Sequence, residues 1–141
     1  MTTDDEHPGV TLSTEDAWRF LEHTSFGRLA LSVANEPDIF PINYLAHDGR
    51  LLMRTNPGTK LAELTINDHV AFEIDGIGEG SAWSVVVKGT ARVIESQTEI
   101  DAADELPLTP WIATRKYTYV EIMPGSVRGL RFELGTEPER Y

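Results

Sequence analysis

The chain has 141 residues, 40% of them hydrophobic and 25% charged, which is typical of one globular domain. It contains no cysteine, which excludes disulfides, a thiolate nucleophile and cysteine-ligated metal centres. With 12 Lys and Arg against 23 Asp and Glu, the net charge is −11, a sign that disfavours nucleic acid and anionic membranes as partners. No apolar run approaches the roughly 18 residues of a membrane span, and no secretory signal pattern opens the chain. We therefore expect a cytoplasmic protein.

The predicted elements are short strands joined by tight turns, with small helices between them. The first helix follows the potential N-cap Ser13, because apolar residues then recur at helical spacing. An Asp48-Gly49 pair predicts a hairpin turn, and Gly89 a bend or bulge in a long alternating strand. Thr59 is expected to cap a second helix. The predicted helices cover 14–23 and 60–66 with a helical turn at 100–105, and the strands cover 28–33, 39–46, 51–55, 69–74, 82–95, 116–122 and 127–133.

This order of elements predicts a closed antiparallel barrel. Turn chemistry is expected at 35–38, a flexible loop at Gly76, Gly78 and Gly80, and a proline-broken loop at 106–110. We expect one domain over residues 11–134, preceded by an acidic leader over 1–10 and followed by a polar tail over 135–141.

Several enzyme classes are disfavoured by what the sequence does not contain. Its histidines form no HxH or HExxH spacing, so no metal site is expected. No G-x-S-x-G elbow is present. The glycines at 76, 78 and 80 precede a strand and do not form a Rossmann fingerprint. The four histidines are His7, His23, His47 and His69.

One candidate anion site is the segment 53–60, in which a strand leads through a glycine-containing turn into a helix. A helix N-terminus offers unpaired N–H groups and a partial positive charge. Arg54, Thr55, Thr59 and Lys60 add cations and hydroxyl donors. The alternative interpretation is an ordinary helix cap beside a solvated lysine.

A second candidate segment, 40–45, lies on the preceding strand. Pro41 cannot donate to a ladder and so marks an edge or a bulge, where free backbone groups could meet a planar ligand. Tyr44 could stack on a ring and Asn43 could hydrogen-bond to it. The alternative is an edge strand with Tyr44 half-buried in the core. Because the Asp48-Gly49 hairpin joins the two segments, a heterocycle and its phosphate could be bound by neighbouring strands.

Five motifs in order resemble the pyridoxamine 5′-phosphate oxidase-like, FMN-binding split-barrel superfamily. They are Gly27-Arg28-Leu29-Ala30, Pro41-Ile42-Asn43-Tyr44, Asp48-Gly49-Arg50-Leu51, Gly58-Thr59-Lys60 and Val70-Ala71-Phe72-Glu73. The stretch from Trp83 to Gly89 and the later Met123-Pro124-Gly125 are similar to the nitroimidazole-resistance-type and actinobacterial branch. The resemblance covers about residues 12–132. It implies a mainly β, six-stranded antiparallel split β-barrel that forms a homodimer, with FMN in the grooves between subunits.

The resemblance also implies the binding residues. Those expected to edge the isoalloxazine are Pro41, Ile42, Asn43 and Tyr44, and those expected to hold the phosphate are Arg54, Thr55, Thr59 and Lys60. Trp83 and Ser84 would border the same groove, with Trp83 either stacking on the flavin or packing the dimer seam. The chain departs from the true oxidases, because Thr59 replaces an arginine and no Arg-x-His motif follows Val127. Nitroimidazole-resistance relatives tend to carry a histidine near the position of Arg54.

These expectations favour an FMN-dependent oxidoreductase that acts on a small conjugated substrate, although oxidation of pyridoxamine phosphate itself is disfavoured. The catalytic residues are not identified. The alternatives are a non-catalytic FMN-binding protein, a deazaflavin-dependent reductase, and a haem-binding split barrel in which His47 or His69 would ligate iron.

Overall fold

The computed structural model describes residues 9–108 and 117–135, and at Thr59 it describes the backbone alone. Within these ranges seven strands and three helices follow one another along the chain. They are β1 (Gly9–Leu12), α1 (Thr14–Glu22), β2 (Phe26–Val33), β3 (Glu36–His47), β4 (Arg50–Thr55), α2 (Thr59–Ile66), β5 (His69–Gly78), β6 (Ser81–Val93), α3 (Gln97–Asp104) and β7 (Thr118–Glu133).

Six of these strands close into a ring in the order β7-β4-β3-β2-β5-β6, with β6 paired back onto β7. Every pairing in the ring is antiparallel. The short strand β1 adds to β7 outside the ring. The predicted six-stranded antiparallel split barrel is therefore confirmed.

The core lies inside the ring, because alternate residues of each strand point inward. In β4, for example, Leu51 and Met53 are fully buried. A second, smaller apolar cluster lies on the outside of the barrel, where α3 covers β4 and β7. Its buried members are Leu52, Ile94, Ala103 and Tyr119.

Two-residue turns close the β2–β3 and β3–β4 hairpins. Asp48 and Gly49 both have positive φ, at 54° and 73°, as expected for a turn that matches the strand twist. The turn predicted at 35–38 is wrong. Ala34 and Asn35 make it instead, with φ of 51° and 65°, so β3 begins at Glu36 and is longer than expected.

The flexible glycine loop predicted after β5 is also wrong, since Gly76 and Gly78 belong to the strand. Gly76 is paired with Trp83, and a Cβ at this glycine would lie 2.7 Å from the indole ring. The glycine therefore accommodates a cross-strand ring. The predicted irregularity at Gly89 is confirmed, because the β6–β7 register shifts between Lys88 and Gly89.

The predicted strands 116–122 and 127–133 form one strand, β7, because its pairing with β6 runs through 120–133. Gly9 and Val10, assigned above to the acidic leader, belong to β1. The rest of that leader, residues 109–116 (which include the end of the loop predicted at 106–110) and the last six residues of the predicted polar tail lie outside the described residues. No helix among the described residues is long and apolar enough to cross a membrane.

Candidate functional site

Arg54 projects from the outer surface of the barrel near the end of β4. Because Met53 points into the core, its neighbour Arg54 points outward. The guanidinium carbon lies 4.1 Å from the centroid of the Tyr117 ring, a cation–π distance. Within the described ranges, no carboxylate comes within 4.0 Å of this guanidinium.

Beyond β4 the chain turns through 56–58 into α2, and Gly58 is the N-cap. The prediction that Thr59 caps this helix is wrong, because Thr59 is its first residue. The only helical bond made by the cap is Ala62 N–H to the Gly58 carbonyl, at 3.1 Å. Glycine has no side chain that could accept from the first-turn N–H groups. The start of α2 therefore keeps the donors and partial positive charge that attract an anion.

Lys60 is the second residue of α2 and is exposed. Its Nζ lies 3.8 Å from the centroid of the Phe40 ring, and Phe40 itself is nearly buried on β3. Like Arg54, Lys60 has no carboxylate within 4.0 Å in the described part of the chain. The two cations thus flank the turn at 56–58, one from the strand before it and one from the helix after it.

The neighbouring strand β3 directs Pro41 and Asn43 to the outer surface, whereas Ile42 packs against the core. Tyr44 pairs with Met53, so in an antiparallel ladder Asn43 lies at the level of Arg54. The Asn43 Nδ2 donates to the Ser25 carbonyl at 3.3 Å. Asn43 and Arg54 therefore share one outward face, as the hairpin predicted.

Tyr44 does not belong to that outward face. Its side chain is 2% exposed, its hydroxyl donates to the Leu21 carbonyl at 2.7 Å, and its ring meets Phe72 edge-on at 4.7 Å. Burial raises the pKa of the Tyr44 phenol far above its ordinary value. The expectation that Tyr44 stacks on a bound ring is wrong, because the ring is part of the core.

Trp83 and Ser84 lie far along the barrel wall from Arg54. Trp83 pairs with Arg131 near the end of β7, whereas Arg54 pairs with Tyr119 near its start. Twelve residues of strand separate these partners, about 40 Å of chain at 3.3 Å per residue. The Trp83 ring stacks on Phe20 of the same chain at 4.2 Å. Within one chain, neither Trp83 nor Ser84 joins the Arg54 site.

Three residues near Arg54, namely Tyr117, Tyr119 and Asp104, were not predicted from the sequence. The hydroxyls of Tyr117 and Tyr119 both donate to Oδ1 of Asp104, at 2.9 and 2.7 Å. These bonds lower the pKa of the Asp104 carboxyl below its ordinary value. The Tyr-x-Tyr spacing signals that both rings share one face of a strand, but nothing in the sequence shows that α3 brings Asp104 to them.

These contacts create a local excess of positive charge on a chain whose net charge is −11. Along the chain, Arg54 precedes the turn at 56–58, and Lys60 and the start of α2 follow it. Each of the three offers N–H donors to an acceptor with several oxygens. Such an arrangement suits a phosphate ester. No cluster of three or more potential metal ligands occurs among the residues that the structure describes.

Comparison with known proteins supplies the family. A solved Corynebacterium glutamicum structure, of a candidate pyridoxamine 5′-phosphate oxidase, is 38% identical, with a TM-score of 0.81 over 92% of this chain and 98% of that one. The FAD binding protein from Mycobacterium smegmatis is 35% identical, with a TM-score of 0.78 over 89% of this chain and 100% of that one.

A curated relative, the uncharacterised Mycobacterium tuberculosis protein Rv0080, is 32% identical over 129 residues, which are 86% of this chain and 84% of that protein. The family profile described as pyridoxamine 5′-phosphate oxidase matches residues 13–133. The resemblance drawn from the five sequence motifs is thereby confirmed: the chain belongs to the pyridoxamine 5′-phosphate oxidase family.

Proposed function

We propose that this protein binds FMN and that Arg54, Lys60 and the N-terminus of α2 hold the flavin phosphate. The observation that carries the proposal is the pair of cations flanking the glycine-capped start of α2, neither of them within 4.0 Å of a carboxylate in the described ranges. A phosphate dianion would balance the positive charges of Arg54 and Lys60 at this site. Thr55 ends β4, and its hydroxyl donates to the Asn56 carbonyl at 3.4 Å, at the start of the turn.

The isoalloxazine would lie against the outward face of β3. Pro41 has no N–H, so the strand edge there is less polar than an ordinary ladder, and Asn43 presents a side-chain amide beside Arg54. The FAD binding protein from Mycobacterium smegmatis, 35% identical to this chain, supports a flavin as the ligand. FAD and FMN share the isoalloxazine ring, the ribityl chain and the first phosphate, so the same phosphate site suits either flavin.

We further propose that two copies of the chain form a homodimer and enclose the ring between them. The outer surfaces of β2 and β5 carry the small residues Ala30 and Ala71, which line an open groove of about 710 Å³. Ile39, on β3 directly opposite Ala30, is 63% exposed. Small and apolar side chains exposed on a sheet favour contact with another protein surface.

When bound, the flavin would supply two-electron redox chemistry, and the protein would supply binding and electrostatics. Arg54 would place positive charge near the phosphate and ring edge, and the covered sheet face would exclude water. We propose an oxidoreductase for a small conjugated molecule on this basis. A non-catalytic flavin carrier would use the same contacts. The two functions are distinguished by adding a reductant and an electron acceptor, because only an oxidoreductase would cycle its bound flavin between the reduced and oxidised states.

The phosphate contacts are tested by titrating the purified protein with FMN and with riboflavin, which lacks the phosphate. Wild-type protein should prefer FMN, and the double variant Arg54→Ala, Lys60→Ala should lower that preference by at least about 100-fold, since each charge-assisted contact contributes roughly 1.5–3 kcal/mol. Arg19→Ala removes an exposed cation from α1 and serves as the matched control. Equal affinity of the wild-type protein for both ligands would reject the proposal.

The shared groove is tested by sedimentation. The protein should sediment as a dimer at micromolar concentration, and Ile39→Glu, which places a charge on the proposed contact, should shift it towards monomer. A wild-type monomer that binds FMN with full affinity would contradict the proposed homodimer but not the proposed phosphate contacts.

A further inference from the structure

We infer that Tyr117 and Asp104 are positioning residues that hold the Arg54 guanidinium ready for an anion. This inference rests on the proposed phosphate site at Arg54, Lys60 and the start of α2. It adds Tyr117, which directly precedes β7, and Asp104, the last residue of α3. Neither residue belongs to the motifs that identify the family in this sequence.

The aromatic ring of Tyr117 restrains the guanidinium. The guanidinium carbon lies over the ring, 4.1 Å from its centroid. The N–H bonds of a guanidinium lie in its plane, so a stacked partner leaves the donor edges available. Contact with the ring thus limits the motion of the Arg54 side chain and leaves its N–H groups able to donate to an anion.

Asp104 in turn holds Tyr117. Its Oδ1 accepts from the Tyr117 hydroxyl at 2.9 Å and from the Tyr119 hydroxyl at 2.7 Å. The Tyr119 ring is buried and meets the Tyr117 ring edge-on at 5.4 Å. The carboxylate therefore ties the partly exposed Tyr117 to a phenol that the barrel wall already fixes.

The helix α3 sets the place of Asp104. Its neighbour Ala103 is buried in the outer apolar cluster with Leu52 and Ile94, so the end of α3 is packed against the barrel. Asp104 makes no ion pair with Arg54 within 4.0 Å. The carboxylate accepts from two phenols and so supports the Tyr117 ring, and its charge acts on Arg54 only through space.

The experiment measures phosphate preference, defined as the riboflavin Kd divided by the FMN Kd. Tyr117→Leu removes the stack and should lower the preference by about three- to tenfold, the range of a cation–π contact. Tyr117→Phe keeps the ring and loses the tie to Asp104, so its loss should be smaller. A loss of general packing would instead weaken both ligands equally and leave the ratio unchanged.

Asp104 provides a test with a conservative rescue. Asp104→Ala removes the acceptor and should lower the preference, whereas Asp104→Asn keeps an amide oxygen at that position and should restore most of it. If the negative charge of Asp104 merely opposed the phosphate, both variants would raise FMN affinity, and the inference would be overturned. These exposed-site variants also carry the test if Tyr117→Leu does not fold.

A double-mutant cycle separates this inference from the proposed function. In an Arg54→Ala background, Tyr117→Leu should not change the preference further, because the residue acts through Arg54. If Arg54→Ala lowers the preference but Tyr117→Leu does not, or lowers it equally in both backgrounds, the positioning role is refuted while FMN binding stands. Wild-type protein without phosphate preference would refute the proposed function itself.

Discussion

The Tyr44 hydroxyl donates a 2.7 Å hydrogen bond to the carbonyl of Leu21, and this bond fastens the last turn of α1 to the barrel. Helix carbonyls near a C-terminus lack intrahelical partners, and here a phenol from β3 serves one of them. Because Tyr44 is buried, water cannot replace its hydroxyl without rearrangement.

Tyr44→Phe should therefore lower the free energy of unfolding by about 1–2 kcal/mol, the cost of leaving a buried acceptor unpaired. Flavin affinity should stay unchanged, since the ring faces the core. Urea denaturation and a flavin titration on the same samples measure both. A loss of flavin affinity without a loss of stability would contradict this prediction and indicate that Tyr44 contacts the flavin.

The stacked pair Phe20 and Trp83 should contribute to stability as a unit. The ring centroids are 4.2 Å apart with an interplanar angle of 28°, and such pairs are coupled by about 0.5–1.5 kcal/mol. A double-mutant cycle with Phe20→Leu and Trp83→Leu should recover that coupling by chemical denaturation. A coupling energy near zero would contradict this prediction and would favour a role for Trp83 at a subunit contact instead.

Gly89→Ala should be among the most disruptive single-methyl changes. A Cβ at Gly89 would lie 2.2 Å from the Met123 carbonyl oxygen, and a backbone atom in a paired strand cannot move aside easily. We expect a loss of at least about 2 kcal/mol, as for overpacked core sites. Gly78→Ala is the matched control, because nothing lies within 4 Å of its Cβ position. Comparable melting temperatures for the two variants would contradict the close approach.

Asp104 should also make stability depend on pH. Its pKa is lowered from the ordinary value of 3.8, first by the Tyr119 hydroxyl and then by that of Tyr117. A lowered carboxyl pKa stabilises the folded state at higher pH, and that contribution is lost as the pH falls below 3.8 and through the lower folded-state value.

The free energy of unfolding of the wild-type protein relative to Asp104→Asn, which cannot titrate, should therefore be constant near neutral pH and decrease in acid. Urea melts of both proteins between pH 7 and pH 3 measure the difference. A difference that stays flat down to pH 3 would show that the two phenols do not perturb the carboxylate.

Much of the barrel could be predicted because its hairpins are encoded locally. Asp48-Gly49 specifies a two-residue turn, and alternation in β6 specifies the inward face. The turn at Ala34 and Asn35 was missed because alanine seldom adopts positive φ. Pro37 suggested a turn, yet it lies within β3 near the end of the β2–β3 hairpin.

The candidate site divides in the same way. Arg54 and Lys60 could be predicted since they are close in sequence and flank a helix start. Tyr44 was assigned to the ligand because an aromatic residue on a strand is equally suited to a core or to a ring contact, and only the register decides which. Asp104 lies 50 positions from Arg54, and its approach depends on how α3 packs on the outer wall, which no local pattern reports.

The last described strand pairs with three others, since β7 contacts β1, β4 and β6. Before β7 is synthesised, the strands β2 to β6 can pair only as the open sheet β4-β3-β2-β5-β6. The outer edges of β4 and β6 then lack the partner that β7 provides. Such distant pairing slows folding, and exposed strand edges invite association with other chains in the meantime. Ribosomes that stall before residue 118 should therefore hold an aggregation-prone nascent chain, and completion of β7 should be the step that releases it from chaperones.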